Sequence, residues 1–384
     1  MSRVFASTLL AALMFPALLL AQDADGGGET LASKLENGVA KYENGEFSIA
    51  LHSRVQVWAG WVGEDALLSN GDRMQEYGFR LRRVRFGLDG RFGEWLTYGL
   101  EMDLFDQERT GGPLYQAWVD FRPSTYFGAS IGLVKFPFVY TEARSSARMA
   151  HIDRAVGALA MSPSSTAGLL LYTDPWPDHL RISAGIYNGL QRKASFHEGY
   201  EGIGISLGNK FERLSVVGRF DLEPLAPIGP DEADIDSAPF RMNIGGGVMY
   251  NPGKSIKTLG ATGDIHIKAY GFHLLAEAIW DWSKPQKKPT TLNTITDEIQ
   301  RLTAMASVGY YIKWINLGLA VRTEYINDNL DLANEGDEIV IAGTVSYYAI
   351  RNFVKVQVEY QHRLELNGAA LDNDSALVGV QVYF

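Results

Sequence analysis

The segment Asp374–Phe384, DSALVGVQVYF, constrains the fold more than any other stretch of the chain. From Ala376 every second residue (Ala376, Val378, Val380, Val382, Phe384) is apolar, while Gly379 and Gln381 take the other parity. Successive side chains of a strand point to opposite faces, so one face of this segment is apolar and the other is not. An apolar face ending on an aromatic residue fits a strand set between lipid and a polar lumen. The pattern predicts an all-β chain, a transmembrane antiparallel β-barrel.

The other end agrees. Met1–Ala21 carries one basic residue, Arg3, and an apolar run, LLAALMFPALLLA, before the polar QDADGGG. This is the pattern of a signal peptide, residues 1–21, cut after Ala21. Nothing later approaches the roughly 20 continuous apolar residues of a helical span, so re-entry into a membrane must use strands. Residues 22–46 are too polar to join a wall and read as a periplasmic N-terminal segment, leaving 47–384 for the barrel. The absence of cysteine removes disulfides, thiolate metal sites and cysteine nucleophiles. A net charge of -10 argues against nucleic acid as a partner.

Period-two alternation recurs in Phe47–Gly60, Gly78–Phe92, Leu96–Phe105, Leu114–Arg122, Phe127–Lys135, Ala167–Thr173, Leu180–Asn188, Gly202–Leu207 and Arg213–Leu222. It continues in Phe240–Tyr250, Asp264–Tyr270, Phe272–Asp281, Thr303–Trp314, Asn316–Ile326, Ile339–Tyr348, Phe353–Arg363 and the final strand. The total is odd, whereas bacterial single-chain barrels use an even number. Short links at Ala349–Asn352, Trp314–Ile315 and Tyr270–Gly271 alternate with long ones at Ser283–Arg301, Asn327–Glu338 and Glu365–Asp374, as periplasmic turns and outer loops should. That order survives if Gly202–Leu207 belongs to an outer loop, which gives 16 strands, with 18 as the alternative. A barrel of that size is too wide for side chains to fill, and an aqueous channel remains.

Register assigns the charges. In Arg83–Leu88 the apolar Val84, Phe86 and Leu88 alternate with Arg83, Arg85 and Gly87. The opposite register would set each arginine in hydrocarbon at roughly 2–4 kcal/mol, so Arg83 and Arg85 face the lumen. The same rule turns inward Arg54, Gln56, Arg181, Arg213, Arg219, Arg241, Lys268, Lys313, Arg322, Lys355 and Arg363. It also turns inward the acids Glu101, Asp103, Asp120, Asp221, Asp264, Glu277, Asp281, Glu324 and Glu359, with Trp58, Trp118 and Tyr311 among them. Cross-strand pairing of Arg83 and Arg85 with Glu101 and Asp103 is the competing use of those arginines.

The stretch GLVKFPFVYTEARSS followed by ARMAHIDRA resembles the segment by which the phosphate-selective porin O and P family leaves its fifth strand and folds a long loop into the pore. SRVQVWAG, FRLRRVRFGLDG, QAWVDF, RFDLEPL and GFHLLAEAIW are similar to that family's strands in the same order. The resemblance implies an outer-membrane homotrimer of 16-stranded barrels, with the third outer loop folded inward, that passes small anions such as phosphate. Lipid and lipopolysaccharide of the outer membrane of a Gram-negative bacterium would surround it. On that reading Pro137–Thr166 narrows the channel and brings the cations Lys135, Arg144, Arg148 and Arg154 to join Arg83, Arg85 and Arg54 at an anion-binding constriction. Arginine's planar fork suits phosphate oxygens.

Two other readings stay open: a general or sugar-permeable porin using the inward aromatic rings, and a plugged barrel of structural role. Catalysis is not expected, since none of the histidines (52, 151, 179, 197, 266, 273, 362) stands in a nucleophile motif, and no cofactor is called for. His151 reads as a pore-lining polar group. Asn327–Glu338 resembles a calcium loop in length, but has Leu332 where the sixth-position glycine belongs. GIGISLG, Gly202–Gly208, lacks the spacing of a dinucleotide-binding turn.

Overall fold

In the computed structural model the alternating segments pair edge to edge. The structure describes residues 40–63, 76–105, 113–163, 165–192, 200–201, 213–252, 256–285, 297–334 and 336–384. In chain order the strands are β1 (Ala40–Asn44), β2 (Phe47–Val62), β3 (Glu76–Phe92), β4 (Leu96–Asp103), β5 (Leu114–Ser124), β6 (Phe127–Lys135), β7 (Ser165–Trp176), β8 (Leu180–Asn188), β9 (Gln191–Arg192) and β10 (Tyr200–Glu201). They continue with β11 (Leu214–Leu222), β12 (Arg241–Asn251), β13 (Ile256–Ala269), β14 (Phe272–Pro285), β15 (Ile299–Ile312), β16 (Leu317–Asn327), β17 (Glu338–Asn352), β18 (Val354–Glu365) and β19 (Ser375–Tyr383).

Sixteen of these strands close a ring. Neighbours pair antiparallel throughout, β19 pairs with β2, and β8 pairs with β11 across the excursion that holds the β9–β10 pair. Closure leaves no unpaired edge, which is what a sheet in lipid requires. The alternation expected from sequence is realised: on β12, Arg241, Asn243 and Met249 are buried while Ile244, Val248 and Tyr250 are exposed on the outside. The tight β13–β14 turn has positive φ at both Tyr270 and Gly271 (50° and 96°), the handedness that two-residue hairpins favour.

Three details differ from the sequence reading. First, Ala40–Asn44, in the segment expected to stay clear of the wall, forms β1 and pairs with the start of β2. Gly45, with φ 58°, makes the turn, and Lys41 pairs with Glu43. Second, Lys313 lies in an exposed 3-10 turn and Arg213 lies exposed just before β11, because both strands are shorter than their alternation suggested. Third, the β11–β12 link Glu223–Phe240 is on the periplasmic side yet long, and it folds back into the lumen as a strap. Gly202–Leu207, the segment expected to be a signal peptide (1–21) and most of 22–46 lie outside the described residues.

The lumen is filled from both ends. From the outer end of β6 an insert, Phe136–Pro163, crosses the barrel with helices α1 (Tyr140–Ala143) and α2 (Val156–Met161). Its apolar residues Phe136, Phe138, Val156 and Met161 pack with Tyr187, Val217, Met249, Leu275, Ile279, Ile326 and Val340 of the wall. The insert has little regular structure, so its backbone groups need side-chain partners. Inward carboxylates provide them: the amides of Tyr140, Ile152 and Val156 donate to Glu277 (2.6 Å), Glu359 (3.1 Å) and Glu324 (2.7 Å). Cations and amides take the carbonyls, with Lys355 donating to Met149 O (2.8 Å), Gln357 to Ala150 O (2.9 Å) and Gln381 to Ala147 O (3.0 Å). From below, Asp231 of the strap accepts from Arg148 (2.9 Å) and Asn352 (2.8 Å), while Glu232 accepts from Ala150 N (2.9 Å). Insert and strap thus meet in the middle.

Candidate permeation site

What the insert leaves open lies along one side of the barrel. A cavity of about 910 Å³ runs along β5–β8 and β11, lined by Trp118, Asp120, Leu170, Tyr172, Asp221 and others, with Lys135 and the insert residue Arg144 also on it. A side pocket of about 240 Å³ shares Gln116, Trp118 and Lys135 with it and adds Arg54, Arg85 and Tyr383. The opposite wall, β12–β19, is where insert and strap pack.

The seven cations expected at a constriction separate into two sets. Four are committed to carboxylates. Arg83 donates to Asp153 (2.9 Å) and Gln56 (2.8 Å), and Arg85 to Asp103 (2.7 Å) and Glu101 (3.3 Å). Arg148 pairs with Asp231 (2.9 Å) and Arg154 with Glu142 (2.9 Å). Among the described residues the other three bond only neutral acceptors. Arg54 donates to Ser146 Oγ (2.7 Å) and Ser145 Oγ (3.4 Å). Lys135 donates to the carbonyls of Glu142 (3.5 Å), Ala143 (2.9 Å) and Arg144 (2.6 Å), at the C-terminal end of α1. Arg144 donates to Gly229 O of the strap (2.6 Å) and lies over the Tyr140 ring at 4.3 Å. Pairing neutralises the first set at close range, and the second keeps its field.

Local sequence explains why Arg83 is a strut. Gln56 faces Arg83 on β2 but Val57 faces Leu81, so Arg82 is an extra residue in a bulge. The bulge turns Arg82 inward beside Arg83, and both bind Asp153 of the insert at 2.9 Å. Burial alone would raise the Asp153 carboxyl, but Arg82 and Arg83 outweigh it and hold it well below the usual carboxylate range. The alternation carries the signal in advance: the outward residues run Phe79, Leu81, then Val84, Phe86, Leu88, with one step of three. Arg85 is fixed in a different way, its guanidinium 3.5 Å from the centre of the Tyr115 ring.

Other expectations change with the packing. His151 does not line a pore, being buried with Nδ1 against Thr344 Oγ1 (2.7 Å) and Nε2 against Ser307 Oγ (2.8 Å). Of the inward aromatic rings, Trp58 is covered by Ile152 and Tyr311 packs with Tyr348, which leaves Trp118 on the cavity. Toward the periplasm the cavity is acidic, with Asp120, Asp174, Asp178, Asp221 and Glu223 against Arg122, Arg181 and Arg219. Arg122 and Arg181 share Asp174 (2.9 and 2.8 Å), and Arg219 binds Asp264 (2.8 Å). Burial raises the Glu223 carboxyl, against the Ile228 amide that donates to it at 2.7 Å. Among the described residues no cluster of potential metal ligands occurs.

Residues 56–204 match the family described as phosphate-selective porin O and P. Solved structures share the barrel. The trimer form of OmpT of Vibrio cholerae is 10% identical over 88% of this chain and 99% of its own, with a TM-score of 0.57. The outer membrane channel DcaP of Acinetobacter baumannii is 13% identical over 89% and 99%, with a TM-score of 0.57. An anion-selective porin from Comamonas acidovorans is 14% identical over 88% and 100%, with a TM-score of 0.54. No curated protein matches the sequence. The family match and these outer-membrane barrels indicate a porin-type β-barrel in the outer membrane of a Gram-negative bacterium.

Proposed function

We propose that the porin is a passive diffusion channel that prefers anions and admits phosphate among them. The observation that carries this reading is the set Arg54, Lys135 and Arg144, three cations on the open cavity and its side pocket whose hydrogen bonds, among the described residues, all go to neutral acceptors. At about 4 Å and an effective dielectric near 20, each would attract a unit anion by about 4 kcal/mol. The acidic residues at the periplasmic end oppose them, so the preference is moderate and not absolute. Strong phosphate selectivity would need arginine forks converging on one point, and Arg83, Arg85, Arg148 and Arg154 are spent on carboxylates instead. The sugar-pore reading loses two of its three aromatic rings to burial. The trimer form of OmpT, which has the same barrel, supports a homotrimer here too.

The test is the reversal potential of the purified porin in a planar bilayer under a KCl gradient. The expected sign favours chloride, with a smaller preference after Arg144→Gln. A sign favouring potassium would overturn the reading.

A further inference from the structure

We infer that the preferred solutes are small organic carboxylates with an apolar body, and not inorganic oxyanions. This rests on the anion-channel reading above. Two features of the cavity point to it.

The first is the state of the donors. A multivalent oxyanion entering a narrow passage must replace its hydration with protein donors. The three N–H groups of Lys135 already face three backbone carbonyls, and Arg144 spends one on Gly229 O. Lys135 therefore offers a positive field with no spare donor, and of the two only Arg144 keeps N–H groups to give. A carboxylate carries one charge on two oxygens and asks for less.

The second is the surface beside those cations. Trp118 and Leu170 are partly buried against the edge of the insert's apolar cluster, and with Val134 they form an apolar shelf on the cavity. The register explains how the shelf stays open. Trp118 stands opposite Gly99 on β4 and Gly132 on β6, and a Cβ on Gly99 would come within 2.7 Å of the indole. The ring therefore lies against the Gly99 backbone and gains a broad contact area without narrowing the lumen. Tyr172 lies over Gly128 in the same way, but Arg181 covers its face at 4.8 Å and its hydroxyl donates to Asp120, so that ring is not available. Val134 and Lys135 both line the cavity, which sets the apolar shelf next to the positive field. The space, about 910 Å³, is within the range of about 300–1,000 Å³ that organic ligands occupy.

The experiment compares block of single-channel chloride current by benzoate, acetate and phosphate. Benzoate is expected to reach half-block at a concentration about tenfold below acetate and phosphate, because only it has a body to desolvate on Trp118. In Trp118→Ala and, as a second variant, Leu170→Ala, the benzoate-to-acetate ratio is expected to fall toward one. In Trp118→Phe it is expected to be largely kept. Equal block by benzoate and acetate, tighter block by phosphate, or an unchanged ratio in Trp118→Ala and Leu170→Ala would overturn the inference while leaving an anion channel in place. A current carried by potassium, with none of the three blocking, would instead remove the reading on which it rests.

Discussion

The two walls of this barrel carry similar charged sequences and use them differently. On β14, β16 and β18 the inward carboxylates Glu277, Glu324 and Glu359 accept backbone amides of the insert and are closed off from water. On β5, β11 and the strap, Asp120, Asp221 and Glu223 stand on the open cavity. The cations divide in the same way, with Lys355 donating to Met149 O on the covered side while Arg54 lines the pocket on the open side. A charged residue turned into a wide barrel is therefore not by that fact a permeation residue. What decides is whether an insert covers it.

The comparison can be broken most strongly at Asp153. Asp153→Ala would strand Arg82 and Arg83, with side chains 12% and 3% exposed, and breaking such a buried pair costs about 3–5 kcal/mol. Thermal unfolding in detergent should register that loss, together with a larger and noisier conductance as the insert loosens. The pH dependence has a definite sign. Because the folded carboxyl is held below its unfolded value, its stabilisation is complete above the ordinary aspartate range and is lost only as pH falls through the lower folded value. Wild type should keep its insert at mildly acidic pH, and a melting temperature that drops sharply just below neutrality would contradict this.

A smaller effect is expected where strap and insert are tied. Asp231→Ala removes the acceptor of Arg148 and Asn352 and should destabilise by about 2 kcal/mol. Arg144, which leans on Gly229 O two residues away, should lose its fixed position, so that anion preference falls along with stability. Loss of stability with selectivity unchanged would separate the strap from the site. The mildest change is Glu223→Gln. Glu223 takes up its proton at a higher pH than a free glutamate, so acidifying from about pH 7 to about pH 5 should neutralise it in part and raise the anion preference. Glu223→Gln should start from the higher preference and respond less to acid. An equal pH response in both proteins would assign the effect to other groups.

Most of the wall was legible because a period of two, with the cost of arginine in lipid, fixes the face of each residue on Phe47–Val62 or Val354–Glu365. The insert was legible in outline, from the length and composition of the link after Lys135. Two things were not read. The strap follows RFDLEPL with a polar, proline-containing run, and polarity alone does not distinguish a loop in water from one whose acids are consumed inside a lumen. Arg85 takes Glu101 and Asp103, the cross-strand acids its register offered, but the partners of the insert's cations were hidden. Arg154 finds Glu142 and Arg148 finds Asp231 through the path of irregular backbone, which no periodicity records. The bulge at Arg82 was readable in the step from Leu81 to Val84.

We propose that Arg54, Lys135 and Arg144, and not the carboxylate-bound arginines, give the channel its preference. The most direct measurement is the reversal potential in a KCl gradient for wild type, for the triple variant Arg54→Gln, Lys135→Gln, Arg144→Gln, and for the single variant Arg85→Gln. The triple variant should move from chloride preference to no preference or to potassium, while Arg85→Gln should shift it far less. A triple variant that keeps its chloride preference, or an Arg85→Gln that abolishes it, would show that other cations set the preference.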